Sequence, residues 1–215
     1  MTDKNLLRKE YRKKLTALSG VQRAALSAAI RSVLSTWQPF KSARSLIAFH
    51  PMSSEPDIVP LLVKAISAGH HVGLVRTPDG DPYIEVLEVR LWDGSESSLE
   101  RHRRMSLRQP DSRLPLLDNA AWNQARSNAA VKNIELLSAD AGLVLVPALA
   151  FGRDGSRLGH GSGWYDRFLL AKPSLLRVGI GFGMQITESL PMDIWDQNLD
   201  FLICEEGIQA CPTRT

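Results

Sequence analysis

"GLVLVPALAFGRDGSRLGHGSGWYDR" occupies residues 142–167. Its first part, from Leu143 to Phe151, is an apolar run of strand length and reads as a buried strand. Then Gly159, Gly161 and Gly163 alternate between Arg157 and Arg167, and a helix is expected to open near Trp164. Glycine is tolerated at such density where the backbone must take positive φ or let another group approach closely. Strand, glycine turn and helix start together make one step of an alternating strand–helix chain, and the flanking sequence continues it.

Upstream, "SLIAFH" (45–50) reads as a short buried strand, "DIVPLLVKAISAG" (57–69) as a helix capped by Gly69, and "HVGLVR" (71–76) as the next strand. "TPDGDP" is a turn signal, and "YIEVLEV" (83–89) alternates like a strand with one wet face. Leu7, Tyr11, Leu15 and Leu18 repeat at helical spacing, as do Leu26, Ile30, Val33 and Trp37 in a second helix that Pro39 is expected to stop. Downstream, "LRVGIGF" and a final "LDFLIC" complete the strands. The order points to an α/β fold with a largely parallel sheet. Residues 91–140, with clustered charges and recurrent prolines, fit no element and read as an irregular insertion.

A chain of 215 residues, 44% apolar and 23% charged, suits a single globular domain. No apolar run reaches the length of a membrane span, and "MTDKNLLRKEYRKKL" lacks a signal peptide's apolar centre. Cys204 and Cys211 are too few for a disulfide framework, so a cytoplasmic protein with no membrane partner is expected. Residues 1–31 hold eight Lys/Arg against Asp3 and Glu10. Such a basic helix suits an anionic partner, or simply a solvated face. The aromatics do not interleave with the basic residues as single-strand binders require, so nucleic acid is not expected.

A glycine turn between a buried strand and a helix start favours an anion, because free N–H groups and the helix dipole meet there. Arg157 and Arg167 add charge-assisted donors. The loop is neither a Walker A sequence nor a dinucleotide fingerprint. Asp166, one turn into the helix, has the hard oxygen chemistry of a Mg²⁺ ligand riding on phosphates. The competing reading is a tight structural turn with Asp166 complementing the dipole.

The stretch "VPALAFGRDGSRLGHGSGWYDRFL" resembles the signature of the 5-formyltetrahydrofolate cyclo-ligase family, through Pro147, Phe151, Gly155, Arg157, Leu158, the three glycines, Tyr165, Asp166 and Arg167. "DKNLLRKEYRKKLTALS", "IAFHPMSSEPDI" and "VGIGFGMQITESLPMDIWDQNLDFLICEEGI" are similar to other family segments in order and spacing. The resemblance implies a three-layer Rossmann-like domain, with an N-terminal helical segment, in a monomer. It also implies ATP- and Mg²⁺-dependent closure of 5-formyltetrahydrofolate to 5,10-methenyltetrahydrofolate, with release of ADP and phosphate. ATP would contact Lys4, Arg8 and the run Arg157, Leu158, Gly159, His160, Gly161, Ser162, Gly163, Trp164 and Tyr165. The folate would contact His50, Glu55, His160, Gly161, Ser162, Gly163 and Trp164. Asp166 and Asp196 would hold the metal, and Arg157 and Tyr165 would act in catalysis.

The chain departs from the family pattern at several positions. Gly152 stands where an Asp is usual, Trp164 replaces Tyr or Phe, Ser162 replaces an occasional Lys, and Gln109 replaces an acid; His50 is also unusual. Most of these bear on the folate side, which leaves another N-formyl heterocycle as an alternative acceptor. A non-catalytic nucleic-acid or regulatory protein is the alternative from a different class. Individual residues also have structural readings: Lys4 and Arg8 as solvated charges, Glu55 as a capping acid at the helix start after Pro56, and Asp196 as a turn residue.

Overall fold

The computed structural model describes residues 3–79, 87–103, 105–117 and 142–212. Helix α1 spans Lys4–Ala17 and is capped by Asp3, whose side chain accepts from the Asn5 N–H at 2.8 Å. Helix α2 (Gly20–Thr36) starts with a reciprocal capping box between Ser19 and Gln22. Pro39 does not stop this helix, which ends at Thr36. It instead opens a short helix α3 (Gln38–Ser42), because proline fits the first turn where no donor is needed.

Strand β1 (Ser45–Ala48) leads to helix α4 (Val59–Ser67), and Gly69 follows with φ +93°, as expected of a left-handed cap. Strands β2 (His71–Arg76) and β3 (Glu88–Leu91) come next, then a hairpin of β4 (Leu99–Arg101) and β5 (Arg108–Pro110) within the stretch expected to be irregular. The start of the expected strand at 83–89, and much of 91–140, lie outside the described residues.

Strand β6 (Leu143–Val146) is followed by a small hairpin, β7 (Ala150–Gly152) and β8 (Arg157–Leu158), before helix α5 (Trp164–Ala171). The glycine turn therefore follows this hairpin rather than the buried strand directly. Strands β9 (Leu176–Ile180), β10 (Ile186–Thr187), β11 (Phe201–Cys204) and β12 (Gly207–Ala210) complete the chain. The expected last strand, β11, is thus not terminal, since β12 folds back on it as an antiparallel edge.

The main sheet has the order β12-β11-β9-β6-β1-β2-β3. Its inner pairs, from β11 to β2, are parallel, and both edges are antiparallel. Parallel strands buried on both faces need apolar residues at every position, which explains the unbroken runs in the sequence. In β1 and β6, Leu46, Ala48, Leu143 and Leu145 join the core under α1, α2 and α4. Ile47, Val144 and Val146 point the other way, to Phe168 and Leu169 of α5. Trp37 packs edge-on against Phe201 at 5.0 Å between ring centres. The result is the α/β three-layer arrangement expected.

From β1 the chain winds outward through β2, whereas from β6 it winds outward through β9, so the winding reverses between β1 and β6. In open α/β sheets, ligand crevices form outside the carboxyl ends of the strands at such a reversal. His50 and Pro147, which follow β1 and β6, both line a cavity at that point.

Candidate functional site

The cavity has a volume of about 900 Å³. That is large for one small ligand and within the range of ligand clefts. Every candidate residue lines it: Lys4, Arg8, His50, Glu55, the run Arg157 to Asp166, and Asp196. Residues up to 192 positions apart in sequence are thus gathered in one place.

The glycine turn forms one wall. Gly161 has φ +114° and Gly163, the residue before α5, has φ +64°, so alternate peptides are turned over. The Gly159 and His160 carbonyls accept from Arg8 Nε at 3.1 Å and Arg12 Nη2 at 3.4 Å, which ties α1 to the turn. Among the described residues the N–H groups from Gly159 to Gly163 make no hydrogen bond. A run of free amides before a helix start is a nest for an anion.

Around this nest lie charges that already satisfy one another. Arg157 is buried, and its Nη2 donates to Asp166 Oδ1 at 2.5 Å. Its Nε is buried without a partner among the described residues. Lys4 Nζ reaches Asp193 Oδ2 at 2.6 Å and Asp196 Oδ2 at 2.5 Å. Burial acts to lower the Lys4 pKa, but the bonds to Asp193 and Asp196 outweigh it and leave the ammonium raised. The solvated-charge reading of Lys4 and Arg8 does not hold, since both are anchored across the fold. Asp196 is a turn residue as well, accepting from the Asp193 N–H at 2.8 Å. Gln197 N donates to Asp166 Oδ1 at 3.1 Å, which brings Asp166 close to the Asp196 segment.

Glu55 is not a helix cap. The cap-like acid at α4 is Asp57, which accepts from the Val59 N–H, whereas Glu55 is buried and closes a turn onto the Met52 N–H at 2.7 Å. Burial raises its carboxyl pKa to about 7. His160 Nε2 lies 4.0 Å from Glu55 Oε1, and burial, with Arg12 and Arg8 nearby, lowers the imidazole pKa. The Tyr165 hydroxyl is buried with no partner among the described residues, and burial and the nearby Glu55 raise its pKa. Arg157 lies over the Tyr165 ring at 5.8 Å and Arg167 over Trp164 at 5.1 Å. His50 has a buried Nδ1 without a partner among the described residues, and burial lowers its pKa.

Two departures from the family pattern have a defined local setting. A Cβ at Gly152 would meet Ser156 Oγ and Asp154 Oδ1, so Asp154 fills the space that a side chain at 152 would take. Gln109 Oε1 accepts from the Thr77 N–H at 3.1 Å, a role that an acid would serve equally. The sequence did not single out Thr77, Leu170, Asp193 or Trp195, which also line the cavity. Trp195 and Asp193 carried a faint signal, as an aromatic between acids in the loop "PMDIWDQN".

The model for the 5-formyltetrahydrofolate cyclo-ligase family matches residues 1–205. The chain belongs to the 5-formyltetrahydrofolate cyclo-ligase family. Cyclo-ligases are ligases, so this member is an enzyme of that class, tied to folate one-carbon chemistry. The mouse 5-formyltetrahydrofolate cyclo-ligase is 23% identical, with 94% of this chain and 93% of that one aligned. The Saccharomyces cerevisiae cyclo-ligase is 24% identical, with 96% and 97% aligned. A probable cyclo-ligase of Schizosaccharomyces pombe is 33% identical, but that match spans 40% of this chain and 48% of the relative. The solved Aquifex aeolicus 5,10-methenyltetrahydrofolate synthetase superposes with a TM-score of 0.71 at 26% identity, covering 99% of this chain and 95% of that one.

Among the described residues no helix is long and apolar enough to cross a membrane. Nor do three or more His, Cys, Asp or Glu residues cluster as a metal cage there. Mg²⁺ does not need one, because it is usually held by one or two carboxylates together with substrate phosphates. Asp166 and Asp196 line the cavity beside the anion nest and are carboxylates of that kind, although one oxygen of each is engaged by Arg157 or Lys4.

Proposed function

We propose that this cyclo-ligase converts 5-formyltetrahydrofolate to 5,10-methenyltetrahydrofolate at the expense of ATP. The observation that carries the reading is the row of unbonded amides from Gly159 to Gly163, in residues that line the same cavity as Lys4, Arg8 and Arg157. Such a wall suits a polyanion such as a triphosphate.

A formyl amide is a poor electrophile, and its oxygen is a very poor leaving group. Transfer of the γ-phosphoryl group to that oxygen makes it a good one; N10 of the folate then attacks the formyl carbon and gives up its proton, and phosphate departs with the oxygen and carries the proton into solvent. Phosphoryl transfer of this kind rests on positioning and charge neutralisation rather than on a protein nucleophile. Lys4, Arg8 and Arg157 are suited to offset charge on the transferring group, and the unpartnered Arg157 Nε supplies a donor in waiting. Asp166 and Asp196 would hold Mg²⁺, which supplies charge neutralisation across the phosphates. As phosphate draws Lys4 and Arg157 towards itself, these carboxylates lose their present partners. The buried Tyr165 hydroxyl, protonated at neutral pH, is suited to donate a hydrogen bond to the reacting formyl group. Glu55 as a carboxylate accepts two parallel N–H donors, the pattern that the pterin ring offers. His50, His160, Ser162 and Trp164 complete the folate wall.

The test is turnover of 5-formyltetrahydrofolate with ATP and Mg²⁺, followed by the absorbance of the conjugated product. Wild type is expected to be active, whereas Arg157→Ala and Asp166→Ala, both still folded, are expected to lose at least a hundredfold in rate, on the scale of removing one positioned charge. ATP use with no methenyl product would move the acceptor to another N-formyl heterocycle.

A further inference from the structure

The glycine turn is gripped by its carbonyl oxygens. That of Gly159 accepts from Arg8, that of His160 from Arg12 Nη2 at 3.4 Å, and that of Ser162 from Arg167 Nη2 at 3.2 Å. In a planar trans peptide the C=O and the following N–H point in opposite directions. The bonds at His160 and Ser162 therefore also fix the N–H groups of Gly161 and Gly163, the two residues of the turn with positive φ. Neither N–H makes a hydrogen bond among the described residues.

Arg12 is exposed and lies outside the cavity lining. Arg167 does line the cavity, and the sequence suggested it as a donor to the anion itself. Its guanidinium is nevertheless engaged by the turn. It lies over the Trp164 ring at 5.1 Å, and a Cβ at Gly163 would come within 3.0 Å of its Nη1. The Arg167 main-chain N–H also returns to the Gly163 carbonyl at 3.2 Å, so backbone and side chain brace the same residue.

We infer that Arg12 and Arg167 are positioning residues for the phosphate nest: each holds a carbonyl of the turn and so aims the next residue's N–H, without itself contacting phosphate. The inference rests on the ATP reading above and goes beyond it, because it assigns two cations beside the nest to the backbone rather than to the ligand. A turn with three alternating glycines needs such bracing, since glycine has the most conformational freedom to lose. Peptides fixed in advance remove that ordering cost from binding. The Arg167 task suits a guanidinium in particular. A planar fork can stack on an indole while donating to a carbonyl, whereas an ammonium brings the same charge without the face.

The experiment measures binding of inorganic tripolyphosphate with Mg²⁺ by calorimetry to the wild-type chain, Arg12→Ala, Arg167→Ala and Arg167→Lys. It is run at about 0.1 M and about 0.5 M salt, because salt screens a direct charge contact but not a conformational effect. Thermal melting checks the fold, and the exposed Arg12 is expected to be replaceable without loss of it. Each Ala variant should bind at least fivefold more weakly than wild type, by the same factor at both salt concentrations. Arg167→Lys should lose as much as Arg167→Ala although it keeps the charge. Recovery of affinity in Arg167→Lys, or a loss that shrinks with salt, would place the charge directly on phosphate and overturn the inference. Unchanged affinity in either Ala variant, whatever its melting temperature, would overturn it for that residue. Failure of the wild type to bind tripolyphosphate would remove the nest, and with it the ATP reading itself.

Discussion

Glu55 carries two opposed pH effects. Its carboxyl ordinarily titrates near 4.5, and burial lifts it to about 7 in the folded chain. The folded state therefore binds a proton that the unfolded state has released between those values. This contribution to stability is full below about 4.5 and is lost as pH rises through about 7. Replacing Glu55 by Gln is expected to leave stability at pH 4.5 near wild type and to raise it at pH 8 by up to about 3 kcal/mol, the size of the lost desolvation penalty. Urea melts at the two pH values check this. Substrate binding runs the other way, since a carboxylate is needed to accept pterin N–H groups. Affinity for 5-formyltetrahydrofolate should rise with pH through about 7 in wild type, whereas Glu55→Gln should bind at least tenfold more weakly and show no such rise.

At the scale of elements, the glycine turn depends on α1 and on its own backbone. Gly161 at φ +114° is strained for any other residue, although a Cβ there would meet nothing closer than Arg8 Cζ at 3.5 Å. Gly161→Ala is thus expected to cost about 1–3 kcal/mol through conformation alone. It should lower ATP affinity more than tenfold by turning the peptide out of the nest, which binding and melting measurements separate. Much of this layer was legible in the sequence. Apolar residues at 7, 11, 15 and 18 marked α1, and the unbroken run at 143–146 marked a strand covered on both faces. What stayed hidden was longer in range or shorter in span. The strand β12 is four residues of alternating exposure on an edge, where little burial is demanded. The bond from Lys4 to Asp193 joins residues 189 positions apart, and no local pattern encodes it. Glu55 beside Pro56 looked like a capping acid because a helix follows; its burial and its approach to His160 of the glycine turn, 105 positions away, are encoded by no local pattern.

For the whole molecule, the sheet order explains why these parts meet. Reversal of winding between β1 and β6 opens a crevice, α1 closes one side of it, and the loop from Leu190 to Leu199 closes another through Lys4. The family motif located the glycine turn, but the fold brings Glu55, Tyr165 and the paired charges around one cavity. The central claim is that in this cavity the formyl oxygen itself is phosphorylated. The direct measurement is a single turnover of 5-formyltetrahydrofolate labelled with ¹⁸O in the formyl group, with ATP and Mg²⁺, followed by mass analysis of the released phosphate. The account predicts that each phosphate carries one ¹⁸O atom. Unlabelled phosphate accompanying methenyl product would contradict it.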